Sequence, residues 1–399
     1  MVLDFFKLQD EKEQKLYEEL LTITGSLSRL FSENDNPFLY YRAAENIFCK
    51  AFNADNLSRG DVSADASKDK LGIGLKTFLH NNGFTFQKVA EFNRESYEFR
   101  GLDGMQLILK VAEMRNQRIR MTKRTFDLEE MIYHLVTRSK NQMLLFEENM
   151  HEIDLESIKI DTSTPSLNTI HFYDKYNEYT FSLSKNTLLK RFITPDDKAL
   201  SQFIVNIYED PFDFLLRSKK ELVEETILSV YEEMDYVILP LYSPATGNVE
   251  LKSGLNAWNA APRKPGGPPR PHNEVYIVVP AWIHDKKPGF FNYKKGMALK
   301  GIPHFQVKLP NGNTMKMKLV QQDGKAINSS PLTSLGQWIL RDVLNVEPGQ
   351  IVTRSTLNAV GVDSIKLSRV SDLEYLLDFK ETGSYEEFEK SYLNPDEVY

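Results

Sequence analysis

One ammonium group stands inside an otherwise apolar stretch, "LGIGLKTFL", residues 71–79. Such a run predicts a buried strand, in which successive side chains point to opposite faces. Ile73, Leu75 and Thr77 then share one face, and Gly72, Gly74, Lys76 and Phe78 the other. The two glycines ahead of Lys76 predict an open face that backbone or ligand can approach closely. Asp65 lies upstream in "SADAS", with Asp61 and Asp69 near it. Glu45 falls at spacings of four, three and four in the stripe Tyr41, Glu45, Phe48, Phe52, which otherwise faces a core. An ionised glutamate on such a face is costly unless it is paired or binds a cation. Mg²⁺ prefers hard oxygen ligands and keeps waters, so one or two carboxylates beside a phosphate suffice to hold it. Each residue also has a plain structural explanation. Glu45 can pair with Arg42 or Arg59, Lys76 can snorkel, and the aspartates can be turn residues. Gln87 and Glu91, on the next expected strand, are secondary candidates to support a site.

Other chemistries find little footing. There is no G-x-S-x-G and no GxxxxGK[ST] phosphate loop. The seven histidines lack H-E-x-x-H or H-x-K spacing. A single cysteine, Cys49, excludes an intrachain disulfide and Cys-based zinc sites. The start of the chain carries no basic segment followed by an apolar one, and the longest apolar run, "VYIVVPAWI", is too short for a bilayer. A cytoplasmic protein without membrane contact is the expectation.

The elements that must position these residues read as two parts. At 399 residues two or three domains are expected, and a change of character places a boundary at 230, giving parts 1–230 and 231–399. The first part reads α/β or α+β. Helices are expected over "LYEELLTITGSLSRLF", with Leu16, Leu20, Leu27, Leu30 and Phe31 as its apolar stripe, and over "FLYYRAAENIFCKAF". Strands follow at 71–79 and 84–92, then helices at Leu102–Arg118 and Leu128–Thr137, then a strand at "QMLLFEE". "TIHFYDKYNEYTFSLS" predicts a hairpin, and helical segments carry the chain to about Met234. The second part has short strands, hairpins at "FQVKLPNGNTMKMKLV" and "VDSIKLSRVSDLEYLLDF", and one helix, "SLGQWILRDVLN". That pattern predicts a small barrel or sandwich.

Charge is unevenly spread. The chain carries −7 overall, yet residues 250–333 hold 13 Lys+Arg against 4 Asp+Glu, a local +9. A basic segment in an acidic chain is the footprint of a polyanion-binding face, or of a solvated surface whose charges cluster. Two polar loops belong to it. Residues 252–274 contain Asn256, Trp258, Asn259, Arg263, Lys264 and Arg270, and residues 321–330 contain Lys325 and Asn328. Asn and Arg make bidentate contacts to purines in the major groove, and lysines hold phosphates. Gly/Pro-rich loops collect polar residues in any protein, so a non-binding role also stands.

The run "SGLNAWNAAPRK", "HNEVYIVVPAWI", "PGFF", "KLVQQDGKAINSSP", "LGQWILRDVL" and "VGVDSIKL", in that order, resembles the C-terminal domain of NgoFVII-type restriction endonucleases over residues 236–385. That resemblance implies a DNA-recognition pseudobarrel akin to the plant B3 fold, with the loops at 255–272 and 321–330 as arms that embrace a duplex. The insertion "PGGPP" lengthens the first arm. The phospholipase-D-like half common in that family, with paired H-x-K motifs, is not found. Instead "LYYRAAENIFCKAF" and "NLSRGDVSADASKDKLGIGLKTF" look like a divergent PD-(D/E)XK nuclease. The resemblance implies a central mixed sheet flanked by helices, catalysis by Glu45, Asp65 and Lys76, Mg²⁺ held by Glu45 and Asp65, and Lys76 orienting the attacking water. Gly74 stands where the family has a strand carboxylate, and the inward Glu45 is expected to replace it. The expected activity is that of a type II restriction endonuclease on double-stranded DNA, with a homodimer as the arrangement that cuts both strands. The alternatives are a DNA-binding regulator with a degenerate nuclease half, and an RNA-processing nuclease.

Overall fold

The computed structural model describes residues 4–57, 62–163, 166–217 and 234–393. Asp61, Arg59 and the boundary expected at 230 lie outside the described residues. Two compact units form, one from residues 1–93, 101–119 and 128–232, the other from 94–100, 120–127 and 233–399. No described helix is long and apolar enough to cross a membrane.

The first unit opens with helices α1 (Phe5–Leu8), α2 (Glu11–Ser26) and α3 (Tyr41–Phe52). Strands β1 (Asp55–Asn56), β2 (Ala66–Lys68), β3 (Leu71–Leu79) and β4 (Phe84–Glu91) follow, then α4, a helix over Gly104–Phe126. Next come β5 (Glu130–Ser139), β6 (Gln142–Asn149), β7 (Lys159–Ile160), β8 (Thr169–Tyr173), β9 (Glu178–Ser182), β10 (Thr187–Ile193), β11 (Ser201–Ile204) and α5 (Pro211–Arg217). They build a six-stranded mixed sheet, β1-β2-β3-β5-β6-β11, and a five-stranded sheet, β4-β10-β9-β8-β7. The hairpin expected at 169–184 is β8 and β9.

Residues Leu128–Thr137 are not a helix. They lie largely in β5, which runs parallel to β3 and antiparallel to β6. Met131 to Thr137 are all buried. A parallel strand covered on both faces reads as a continuous apolar run, with no alternation to separate it from a buried helix. The chain after β3 also departs from expectation, because β4 pairs with β10 rather than with β3. In α2 the buried stripe is Tyr17, Leu21 and Gly25, one residue on from the expected Leu16 and Leu20, and Leu16 and Phe31 are exposed.

Helices α2 and α3 cover one face of the larger sheet, packing Tyr17, Leu21, Phe48 and Phe52 on Ile73, Leu75, Ile132 and Val136. In that core a buried carboxylate fastens the start of the chain. Glu147 lies 2.7 Å from Nδ1 of His134 and accepts the Phe6 N–H at 3.1 Å.

The second unit wraps a seven-stranded sheet in the order β12-β17-β18-β14-β15-β16-β13. Its members are β12 (Tyr236–Pro240), β13 (Ile277–Val278), β14 (Phe305–Lys308), β15 (Thr314–Val320), β16 (Ala326–Ser329), β17 (Val362–Ser371) and β18 (Glu374–Glu381). The end strands β12 and β13 lie against each other, so the sheet nearly closes. Both expected hairpins form, β14 with β15 and β17 with β18. A helix over Ser384–Leu393, not foreseen, packs on β12.

Asp363 sits in β17 with no solvent exposure, 2.5 Å from the Arg354 guanidinium and 3.1 Å from the Gly383 N–H. Burial pushes its carboxyl up to about 6, against the pull of Arg354 and Gly383. A carboxyl that holds its proton more tightly when folded favours the folded state in acid. This contribution is full below about pH 4 and is lost as the pH rises through about 6, worth at most about 3 kcal/mol. Asp363→Asn mimics the protonated form at every pH. Melting curves should therefore show wild type losing ground to Asp363→Asn as the pH goes from 4.5 to 7.5; parallel pH profiles would refute the assignment.

Candidate functional site

Three separate stretches of the first unit bring Glu45, Asp65 and Lys76 into one electrostatic neighbourhood. Glu45 lies on α3 with Phe48 and Phe52, 5% exposed, and takes a 3.0 Å ion pair from Arg42. Burial, then the charge of Asp65, pushes its carboxyl above the ordinary value. Asp65 immediately precedes β2. Its backbone N–H donates to Ile73 at 2.8 Å, its carbonyl accepts from Leu57 at 2.9 Å, and Oδ2 accepts the Leu75 N–H at 2.7 Å. That last bond and the Lys76 charge pull the Asp65 carboxyl down, but burial outweighs them and its pKa is raised. Lys76 follows Leu75, and burial lowers the pKa of its ammonium, opposed most strongly by Asp65 and more weakly by Glu45. No described carboxylate comes within ion-pair distance of Lys76. Both Asp65 and Lys76 keep partial contact with solvent.

This is an under-neutralised acidic pair beside a desolvated cation. Two carboxylates offer hard oxygen donors, and each resists ionising. No cluster of three or more Asp, Glu, His or Cys that could hold a metal occurs among the described residues. The pair thus suits an ion that completes its shell from water and phosphate, as Mg²⁺ does, and not one caged by protein.

The face beside Lys76 is closed, contrary to the openness its glycines predict. A Cβ on Gly74 would lie 2.7 Å from Met150 Cε and 3.3 Å from the Tyr133 ring, and one on Gly72 2.7 Å from Leu128 Cδ1. Neighbouring side chains occupy the seat of a strand carboxylate. Gln87 and Glu91 belong to the other sheet, where Glu91 pairs with Lys88 at 2.9 Å.

Arg115 was not foreseen. This α4 residue is 4% exposed and donates to Ser63 Oγ at 3.1 Å and to the Tyr133 hydroxyl at 2.7 Å. Its charge also bears on Lys76. The signal was present: Ile108, Ala112, Arg115 and Ile119 form a buried stripe at spacings of four, three and four, like that of Glu45.

In the second unit the expected DNA-contacting residues separate. Asn256 is fully buried and bonds to Glu250 O and to both backbone groups of Val352, so it braces the loop. Trp258 is buried with its ring 5.1 Å from His272, a packing anchor. Asn328 is buried within β16. Arg263 and Arg270 both fold back on buried Glu274, at 3.0 and 2.6 Å. Asn259, Lys264 and Lys325 stay exposed, Asn259 bonded to Leu251 O and Lys325 3.8 Å from Asp323.

A stripe the loops did not reveal lies on β14 and β15. Met315, Met317 and Leu319 point inward, leaving Lys316 and Lys318 on the outer face with Gln306 and Lys308. Lys308, Lys316 and Lys318 have no ion pair among the described residues. Three unneutralised ammonium groups on one sheet face are suited to a phosphate backbone.

Residues 229–371 match the model of a family described as the NgoFVII C-terminal B3-like DNA-binding domain. No curated protein matches the chain.

Proposed function

We propose that the chain is a restriction-type endonuclease that binds double-stranded DNA sequence-specifically through its second unit and hydrolyses a phosphodiester at Glu45, Asp65 and Lys76. The observation that carries the catalytic half is the convergence of these residues from α3, the turn before β2, and β3. The mixed sheet in which β3 and β5 run parallel, with α4 between them in sequence, suits a PD-(D/E)XK-like arrangement. Glu45 and Asp65 would hold Mg²⁺, which supplies Lewis acidity and an acidified water. Asp65 is kept in place by the Leu75 N–H, and Glu45 by Arg42. The Lys76 ammonium, which has no ion pair among the described residues, offsets charge that develops on the phosphate and orients the attacking water. Arg115 donates to the Tyr133 hydroxyl, and its charge bears on Lys76. Because each chain offers one such site, cutting both strands calls for two copies.

Plasmid DNA incubated with the protein tests this. Discrete fragments with Mg²⁺, absent with EDTA, support it; intact but retarded DNA in both conditions overturns the catalytic half. The second reading, a DNA-binding regulator without catalysis, is favoured by Gly74, whose place for a strand carboxylate is filled by Met150 and Tyr133.

For the binding half, replacing Lys308, Lys316 and Lys318 together with alanine is expected to weaken DNA binding uniformly across sequences. The slope of log K against log salt should flatten by about 3. An unchanged slope in retardation assays over a salt series removes the β14–β15 face from the interface.

A further inference from the structure

A cleft of about 800 Å³ opens in the first unit among β6, β8, β9 and β10, and shares none of Glu45, Asp65 and Lys76. Its volume suits a small organic ligand. The ion pair of buried Lys190 with partly exposed Glu148 lines it, and the Lys190 ammonium lies 4.4 Å from the centroid of the Phe192 ring. Lys190 is 3% exposed. Beside this pair Asn149 presents a buried Oδ1 that has no hydrogen-bond partner among the described residues. Aromatic side chains make the walls. Phe172 and Tyr179 stack at 5.1 Å, and His151 and Tyr176 stack at 4.3 Å with planes 12° apart. Tyr176 is half exposed, and Asp174 Oδ1 fixes its turn by accepting the N–H groups of Tyr176 and Asn177 at 2.9 and 2.7 Å.

A buried ion pair adds little to stability, and an unsatisfied buried acceptor subtracts from it. These groups are explained better by a ligand than by the fold. A carboxylate, an ammonium and an amide oxygen give acceptors and a donor side by side, which an aliphatic ligand would leave unmatched. The lining sets Glu148, Asp161, Asp174 and Glu178 against Lys175, Lys190 and Arg191, with Lys190 and Arg191 already paired to Glu148 and Glu178, so it offers a bare phosphate no excess of positive charge. A flat, uncharged ring with donors and acceptors on its edge satisfies both walls and floor. We propose that this cleft binds a nucleobase, its ring among the aromatic side chains and its edge on Glu148, Lys190 and Asn149. The base can come from a free nucleotide or from a nucleotide swung out of DNA; only the second source rests on the function proposed above.

The full-length chain is titrated with the four deoxynucleoside 5′-monophosphates, read by saturation-transfer NMR on the base protons. A single-stranded oligonucleotide carrying 2-aminopurine, and its duplex, are titrated in parallel and read by 2-aminopurine fluorescence. Binding of at least one mononucleotide, weakened about tenfold or more by Tyr176→Ala and by Glu148→Gln, supports the cleft with a free nucleotide as source. A response from the oligonucleotide or duplex alone, equally sensitive to Tyr176→Ala, supports it with an extruded base. No response from any probe, or binding indifferent to both substitutions, overturns it. Tyr176 is half exposed, so its variant remains informative if Glu148→Gln fails to fold by circular dichroism. Lys76→Met separates the two proposals: it should stop cleavage and leave base binding unchanged, whereas cleavage without base binding removes the cleft alone.

Discussion

Lys76→Met is expected to slow Mg²⁺-dependent cleavage of duplex DNA by at least about 100-fold, the scale of losing one preorganised charge at a reacting centre. The same substitution should leave the thermal midpoint equal or higher. The physical reason lies in the sign of the Lys76 shift. Burial lowers the pKa of this ammonium, so folding disfavours its protonated form despite the pull of Asp65 and Glu45. For a lysine whose pKa is lowered on folding, the unfolded chain binds more protons just below the ordinary lysine value, and stability rises as the pH climbs through that window. An apolar side chain of similar length removes the cost of burying the charge. A lysine kept for structure predicts the opposite pair of results. Plasmid cleavage rates and melting curves on the same preparations decide the matter: unchanged cleavage, or a clear fall in the midpoint, sinks the catalytic assignment. DNA retardation should be unaffected.

The second large effect is structural. Gly336→Ala should destabilise the second unit by about 3 kcal/mol, the upper end of ordinary overpacking. Inside a helix this substitution usually helps by about 0.5–1 kcal/mol, so the expected sign is reversed. A Cβ at Gly336 would stand 2.1 Å from the carbonyl oxygen of Asn273 and 2.6 Å from its carbon. Both are main-chain atoms, which no rotamer change can move aside. The backbone cannot retreat easily either. Asn273 donates to Gln337 at 3.0 Å, while Arg341 holds Asn273 Oδ1 and His272 O, each at 2.9 Å. For a unit of this size the midpoint should drop by roughly 6–12 °C. Calorimetry that finds an unchanged or raised midpoint contradicts this packing.

How much of this was legible in the sequence depends on the kind of signal each residue carries. Apolar runs on either side of turn residues exposed the hairpins at 169–184, 305–320 and 362–379, and at 305–320 a wet outer face makes the alternation strict. The same rule failed for β5, whose two covered faces erase the alternation. Glu45 was visible as a charge on an apolar helical stripe, and Arg115 carried the same mark on α4. Long-range packing was not visible. Nothing local says that Tyr133 and Met150 fill the space over Gly74, that Asn256 is captured by Val352, or that β4 leaves β3 for β10. Composition located the basic segment, but only strand register separates the free lysines of β14–β15 from arginines already engaged within their own loop.

That engagement sets a threshold for what the first arm will accept. Glu274 is 5% exposed and neutralises both Arg263 and Arg270, so Lys252 and Lys264 are left to advertise positive charge from the loop. Only when both guanidinium groups turn outward is this dehydrated carboxylate abandoned, at a cost of several kcal/mol. Random polyanions met at the lysine face cannot repay this, and only a partner with a fitted, multidentate acceptor set can. On the function proposed above, the counter-ion of these two arginines is therefore the first competitor that a DNA acceptor has to displace.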